Sequence, residues 1–137
     1  MKRPRILIVD DSKPILCLLE VILGKQFEIF AATDGFSAMN WLMEGNRPDM
    51  IISDLQMPNI DGIELLSFLS SSSYYEGIPI LILSGCEESD ILSKCNGLKL
   101  SGYLTKPFDP VELIELVNKV LRNQKPGYAA KNPYQLT

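Results

Sequence analysis

Short aliphatic runs recur along this chain with helix-length stretches between them, and three of the runs stop at charge. Arg5-Ile6-Leu7-Ile8-Val9 runs into Asp10-Asp11, Met50-Ile51-Ile52-Ser53 into Asp54, and Gly102-Tyr103-Leu104-Thr105 into Lys106-Pro107. A brief apolar run bounded by turn formers suits a strand buried on both faces, as in parallel sheets. In an open α/β sheet the carboxyl ends of the strands share one edge, and ligands bind there. Three acidic signals and one amine, far apart in sequence, are therefore predicted to converge on one spot. Clustered carboxylates repel one another and call for a hard divalent cation, typically Mg²⁺. A nearby ammonium suits a phosphoryl group.

The alternation of strand and helix repeats five times. Strands are predicted at Arg5–Val9, Phe27–Ala32, Met50–Ser53, Ile80–Leu83 and Gly102–Leu104. Helices are predicted at Pro14–Gly24, Phe36–Glu44, Gly62–Ser71, Glu87–Asn96 and Pro110–Arg122. Ser12 and Asp109 are placed to cap the first and fifth helices, which have a proline in the first turn, and Gly24 and Gly97 to end the first and fourth. Asp34-Gly35 punctuates the start of the second helix, and Pro48 holds the preceding turn extended. Ile15, Leu19, Ile22 and Leu23 have helical spacing, and Phe36, Met39, Leu42 and Met43 are expected to face inward. The fourth strand is almost wholly aliphatic, which predicts a central place. The fifth is short and less apolar, which suits an edge. Such alternation implies a parallel sheet with right-handed crossovers and helices on both faces.

A chain of 137 residues suits one domain with a real core, here residues 1–123. Residues 124–137 carry Pro126, Gly127 and Pro133 without an apolar period, and read as a disordered tail or the start of an interdomain linker. A net charge of −4 argues against direct nucleic-acid binding by this domain, since phosphate contacts need a basic footprint. There is no histidine, which removes histidine-activated nucleophiles, most zinc sites and any phosphohistidine on this chain itself. Three cysteines without ligand spacing fit reduced thiols, and Cys17 and Cys95 are expected to pack in the core. No signal peptide is visible, and no stretch approaches the ~20 apolar residues of a membrane span. The expected location is cytoplasmic.

Each motif alone has an ordinary explanation. Asp10-Asp11 could serve a helix N-terminus. Asp54-Leu55-Gln56-Met57-Pro58 with Asp61-Gly62 could be a surface turn. Ser84 could be a turn hydroxyl, and Lys106 a solvated lysine. Together they end the first, third, fourth and fifth strands, one edge of one sheet. At that point the chain resembles the receiver domain of bacterial two-component response regulators, from about Arg5 to Leu121. The resemblance rests on the acidic pair, Asp-x-x-Met-Pro-x-x-Asp-Gly, the serine after the fourth strand, and Tyr-x-x-Lys-Pro-Phe, in that order. It implies an α/β fold: a doubly wound, five-stranded parallel sheet of the flavodoxin-like (βα)5 kind, strand order 2-1-3-4-5.

The same resemblance implies roles. Asp54 would accept a phosphoryl group from a sensor histidine kinase or a histidine phosphotransfer protein. Asp11 and Asp54 would ligate Mg²⁺, the Gln56 carbonyl would add an oxygen, and Asp10 would act through water. Lys106 would pair with phosphoryl oxygens, and Ser84 would hydrogen-bond one of them in the active state. Tyr103 would change rotamer as Ser84 moves. The Lys106-Pro107 bond is expected to be cis. The chain would then be a switch rather than an enzyme, catalysing only its own phosphorylation and slow dephosphorylation. The face made by the fourth helix, fifth strand and fifth helix would bind an output domain, a target protein or a second copy, with no membrane involved. Leu100, expected to be exposed there, suits an apolar contact.

Departures from the family pattern are present. Lys99-Leu100-Ser101-Gly102 lacks the acids that one transcription-factor subgroup uses in its active dimer. Gly85 stands where alanine is common, and Gln56 and Cys86 occupy positions that tune phosphoryl lifetime. A competing class is the Mg²⁺-dependent phosphohydrolase of the haloacid dehalogenase kind, also built on Asp, Lys and Ser or Thr. It carries Asp-x-Asp after its first strand, whereas here the first acids are adjacent. A receiver that works without phosphorylation is a third reading, opposed by the intact acids and Lys106.

Overall fold

A computed structural model of the chain describes residues 2–57 and 61–123. Among them run β1 (Arg5–Val9), α1 (Lys13–Leu23), β2 (Glu28–Ala32), α2 (Gly35–Met43), β3 (Met50–Ser53), α3 (Gly62–Ser70), β4 (Ile80–Ser84), α4 (Glu88–Lys94), β5 (Gly102–Thr105) and α5 (Pro110–Arg122). The tail or linker expected at 124–137, and Pro58 of the central motif, lie outside the described residues. No helix among the described residues is long and apolar enough to cross a membrane.

The five strands are parallel and ordered β2-β1-β3-β4-β5, the expected flavodoxin-like arrangement. Side chains alternate across each strand, so each strand feeds two cores. On one face Leu7, Val9, Ile51, Ile80 and Ile82 pack against α2, α3 and α4. On the other, Ile6, Ile8, Met50, Ile52, Leu81 and Leu83 pack against α1 and α5. This double burial explains why β1, β3 and β4 read as unbroken apolar runs rather than alternating ones. β4 is buried along its whole length, but it lies between β3 and β5, so the middle of the sheet is β3. β5 is the half-buried edge.

Helix limits differ from expectation by a residue or so at several ends, and most at α4. That helix stops at Lys94 because Cys95 leaves helical geometry and Gly97 takes a positive φ of 82°. The facing of two helices needs correction. The buried stripe of α2 is Gly35, Ala38 and Leu42, which leaves Phe36 and Met43 more than half exposed and Met39 on the rim. Small residues sit against the sheet and let α2 approach closely, so the larger neighbours turn outward. On α1 the buried residues are Leu16, Leu19 and Leu23, and Cys17 is exposed one position round from Leu16. Cys95 is buried, as expected. Leu100 is half-buried against the α2–α3–α4 core rather than exposed.

Candidate site at the carboxyl edge of the sheet

Main-chain bonds carry the strand ladders one residue past the strand ends and so seat the site. The Asp10 N–H donates to the Ala32 carbonyl at 3.1 Å, the Asp54 N–H to Val9 at 3.0 Å, and the Lys106 N–H to Ser84 at 2.7 Å. Three residues from separate strands are thus fixed by backbone rather than by flexible side chains.

Asp10 is 2% exposed. One of its oxygens accepts the Ser12 N–H at 2.9 Å, and the other meets the Lys106 Nζ at 2.8 Å. The same Nζ reaches the Asp54 Oδ2 at 3.5 Å, so the ammonium sits between two carboxylates and closer to Asp10. Asp11 is exposed, yet it contributes a carboxylate oxygen to a group in which oxygens of Asp10, Asp11 and Asp54 all lie within 4.8 Å of one another.

Burial pushes the Asp54 carboxyl above the usual aspartate range. Lys106 pulls it back, Asp10 raises it again, and the backbone N–H groups of Gln56 and Leu55 lower it; the upward shift prevails. Lys106 is likewise raised: burial would lower it, but the hydrogen bond to Asp10 and the charges of Asp54 and Asp10 outweigh that. One ammonium against three clustered carboxylates leaves the cluster short of positive charge. Hard oxygen donors in an under-compensated group fit a hard divalent cation such as Mg²⁺. The Gln56 side chain points to solvent, so any part it takes there belongs to its main chain.

Two residues lie beside the cluster rather than in it. Ser84 is 1% exposed, and its Oγ accepts the Cys86 N–H at 3.1 Å. In the parallel register Ser84 is opposite Thr105, and Tyr103 is opposite Ile82. With a period of two, Ser84 and Tyr103 therefore occupy one face of the sheet. The Tyr103 hydroxyl donates to the Glu88 carboxylate at the start of α4. The Lys106-Pro107 peptide is cis. A cavity of about 530 Å³ opens here between Gly85, Cys86, Tyr103, Lys106 and Phe108. A larger one, about 700 Å³, lies at the other edge of the sheet beside Tyr75, Pro79, Lys99 and Asn123, away from the acids.

Gly62 is a site residue that turn-based reading missed. A Cβ there would fall 2.2 Å from the Asp54 carbonyl oxygen and 2.8 Å from the Leu55 Cα. Its N–H donates to the Leu55 carbonyl at 3.0 Å, and Asp61 caps α3 through the Glu64 N–H at 2.9 Å. The glycine is needed for space, so that α3 can start directly against the main chain of Asp54. The sequence signal was Asp61-Gly62 itself, which looks the same whether it marks a turn or a close approach.

Residues 6–118 match the model of the response regulator receiver domain family. The chain is 32% identical over 122 residues to sporulation initiation phosphotransferase F of Bacillus subtilis, covering 88% of this chain and 96% of that protein. It is 35% identical over 124 residues to the alkaline phosphatase synthesis transcriptional regulatory protein PhoP of Bacillus subtilis, where it covers 88% of this chain but only 50% of the relative. It thus spans about half the length of several curated relatives. The signal receiver domain of a signal transduction histidine kinase from Syntrophus aciditrophicus superposes with a TM-score of 0.85 at 27% identity, over 95% of this chain and 98% of that one. The chain belongs to the response regulator receiver domain family of two-component systems, a family of signalling domains.

Proposed function

We propose that this receiver domain is a phosphorylation-dependent switch whose phosphoacceptor is Asp54. The observation that carries the reading is the meeting of Asp54 with Asp10, Asp11 and Lys106 in one cluster, with Ser84 on the adjoining strand. The donor is a histidine kinase or a histidine phosphotransfer protein. An Asp54 oxygen attacks phosphorus, the new P–O bond forms as the donor's P–N bond breaks, and the imidazole leaves with the electron pair. Carboxylates are weak nucleophiles, so positioning and charge compensation supply most of the acceleration.

Lys106 is held by Asp10 within reach of the transferred oxygens. Asp10 is thereby a positioning group: its second oxygen is taken by the Ser12 N–H, so the carboxylate cannot swing. Asp11, Asp54 and the Gln56 carbonyl would hold Mg²⁺ directly, and Asp10 through water. When bound, the ion supplies positive charge to the transferring group and relieves repulsion among the carboxylates. The Ser84 hydroxyl exchanges its bond to the Cys86 N–H for one to a phosphoryl oxygen. Space beside it is vacated, Tyr103 turns inward, and the α4–β5–α5 surface changes. That surface is where an output domain, a target or a second copy binds, and the domain itself makes no nucleic-acid contact.

Incubation with a small acyl phosphate and Mg²⁺, followed by intact mass spectrometry, tests this. One phosphoryl group per chain is expected on the wild type and none on Asp54→Asn. Equal labelling of the variant would move the nucleophile elsewhere.

A further inference from the structure

The Tyr103 hydroxyl has an acceptor outside the core. Its ring packs on the rim of the α2–α3–α4 core, and with Cys86 lines the cavity beside the acids, while its hydroxyl reaches the surface and meets Glu88. On that face Tyr103 stands opposite Ile82, whose side chain offers no polar group, and near Ser84, whose Oγ already accepts the Cys86 N–H. A phenol moved inward must find a new partner or leave its hydroxyl unsatisfied. Glu88 rides on the first turn of α4, a helix of seven residues whose N-cap Glu87 makes no side-chain capping bond. The bond to Tyr103 therefore links that first turn to β5.

We propose that Glu88 is a positioning residue of the switch: its carboxylate holds Tyr103 outward and ties α4 to β5 in the unphosphorylated state. The inference rests on reading Ser84 and Tyr103 as the coupled pair. Phosphorylation then has to break one identifiable bond, and the strength of that bond sets how readily the domain converts. A ligand shifts such an equilibrium only by its preference for one state, so weakening the outward state raises apparent affinity for any phosphoryl mimic. Hydrogen bonding to Glu88, then partial burial and the carboxylate charge, raise the Tyr103 pKa, the direction expected of a phenol that donates to a carboxylate.

The test uses the full chain with Mg²⁺ and beryllofluoride, read by amide chemical shifts of Gly102–Thr105 and Glu88–Lys94. Glu88→Ala should bind beryllofluoride about three- to fivefold more tightly, the scale of one modest hydrogen bond. Its free-state shifts in β5 should lie partway toward the saturated ones. Glu88→Gln, which keeps an accepting oxygen, should restore part of the wild-type affinity. In a Tyr103→Phe background Glu88→Ala should change neither beryllofluoride affinity nor melting temperature, since a structural role unconnected with the tyrosine would persist there. Identical affinity and shifts in Glu88→Ala, with a wild type that responds, would overturn the proposal while leaving the switch intact. A wild type whose Tyr103 amide ignores beryllofluoride would overturn the switch pair and this inference with it.

Discussion

Asp54 and Lys106 carry opposite consequences for stability. The Asp54 pKa is raised in the folded chain, first by burial. A raised carboxyl contributes stability below its unfolded pKa and loses it as pH rises through the folded value. At neutral pH and without a divalent cation, ionised Asp54 therefore lowers stability. Asp54→Asn removes the charge and keeps the shape, so it should melt a few degrees higher in chelator at pH 7, on the order of 1 kcal/mol. The gap should shrink as pH falls through the raised folded value, where the wild-type group takes up its proton. A lower melting point for the variant would contradict the burial argument. Lys106 is the reverse case: its net upward shift favours the charged form in the fold, a contribution present below the ordinary lysine range and lost only above the folded value. Lys106→Met leaves buried Asp10 with the Ser12 N–H as its hydrogen-bond donor among the described residues, and should lose about 2 kcal/mol in urea unfolding, nearly constant over about pH 6 to 9. Added Mg²⁺ should recover part of it, because the ion substitutes for the lost charge.

At the scale of the element, what matters is how each helix starts. Ser12, Asp34, Asp61 and Asp109 all cap through a side-chain oxygen, and each stands just past a strand or loop on the site edge. Of these starts, that of α3 is pressed against the main chain of Asp54. Gly62→Ala forces a Cβ into the Asp54 carbonyl, and main chain cannot step aside as a flexible side chain can. The variant should lose about 2 kcal/mol, in the range of overpacked cores, together with much of its Mg²⁺-induced stabilisation. Gly85→Ala, with nothing within 4 Å of the added carbon, is the control and should melt within about 0.5 kcal/mol of wild type. Equal Mg²⁺ stabilisation in Gly62→Ala and wild type would show that the close approach does not position Asp54. Helix facing was less legible than helix placement. α1 and α2 are apolar on more than one side, so composition alone cannot say whether Phe36 or Ala38, Cys17 or Leu16, meets the sheet.

For the whole molecule, two cores share one sheet, and the described buried apolar residues run from Ile6 to Val120. Among the described residues, both cores are filled by side chains that precede Asn123. A chain ending at Asn123 should unfold at the same denaturant midpoint, within about 0.5 kcal/mol, and retain its Mg²⁺ response. A clear loss would place part of the folding unit in residues 124–137. The two cores also divide labour: α1 and α5 cover the face opposite Tyr103, while α4 covers the face that Ser84 and Tyr103 share. A change at Ser84 is thus directed to one side of the sheet.

Local chemistry determined the order of elements in advance. A strand buried on both faces admits no polar interruption, so β1, β3 and β4 announced themselves, and helix-length spacing between them left parallel crossovers as the only economical connection. The convergence of Asp10, Asp54 and Lys106 followed from topology, because strand ends in such a sheet share an edge. Tertiary structure decided what short-range pattern cannot encode. Lys106 lies 96 positions from Asp10, and its preference for Asp10 at 2.8 Å over Asp54 at 3.5 Å is a matter of less than one ångström, set by the packing of β1 against β3 and β5's place beyond β4. The outward hydroxyl of Tyr103 depends on where α4 comes to rest. The need for Gly62 depends on the distance of α3 from the Asp54 carbonyl. Periodicity reports which residues can face a core, and only the assembled layers determine which of them do.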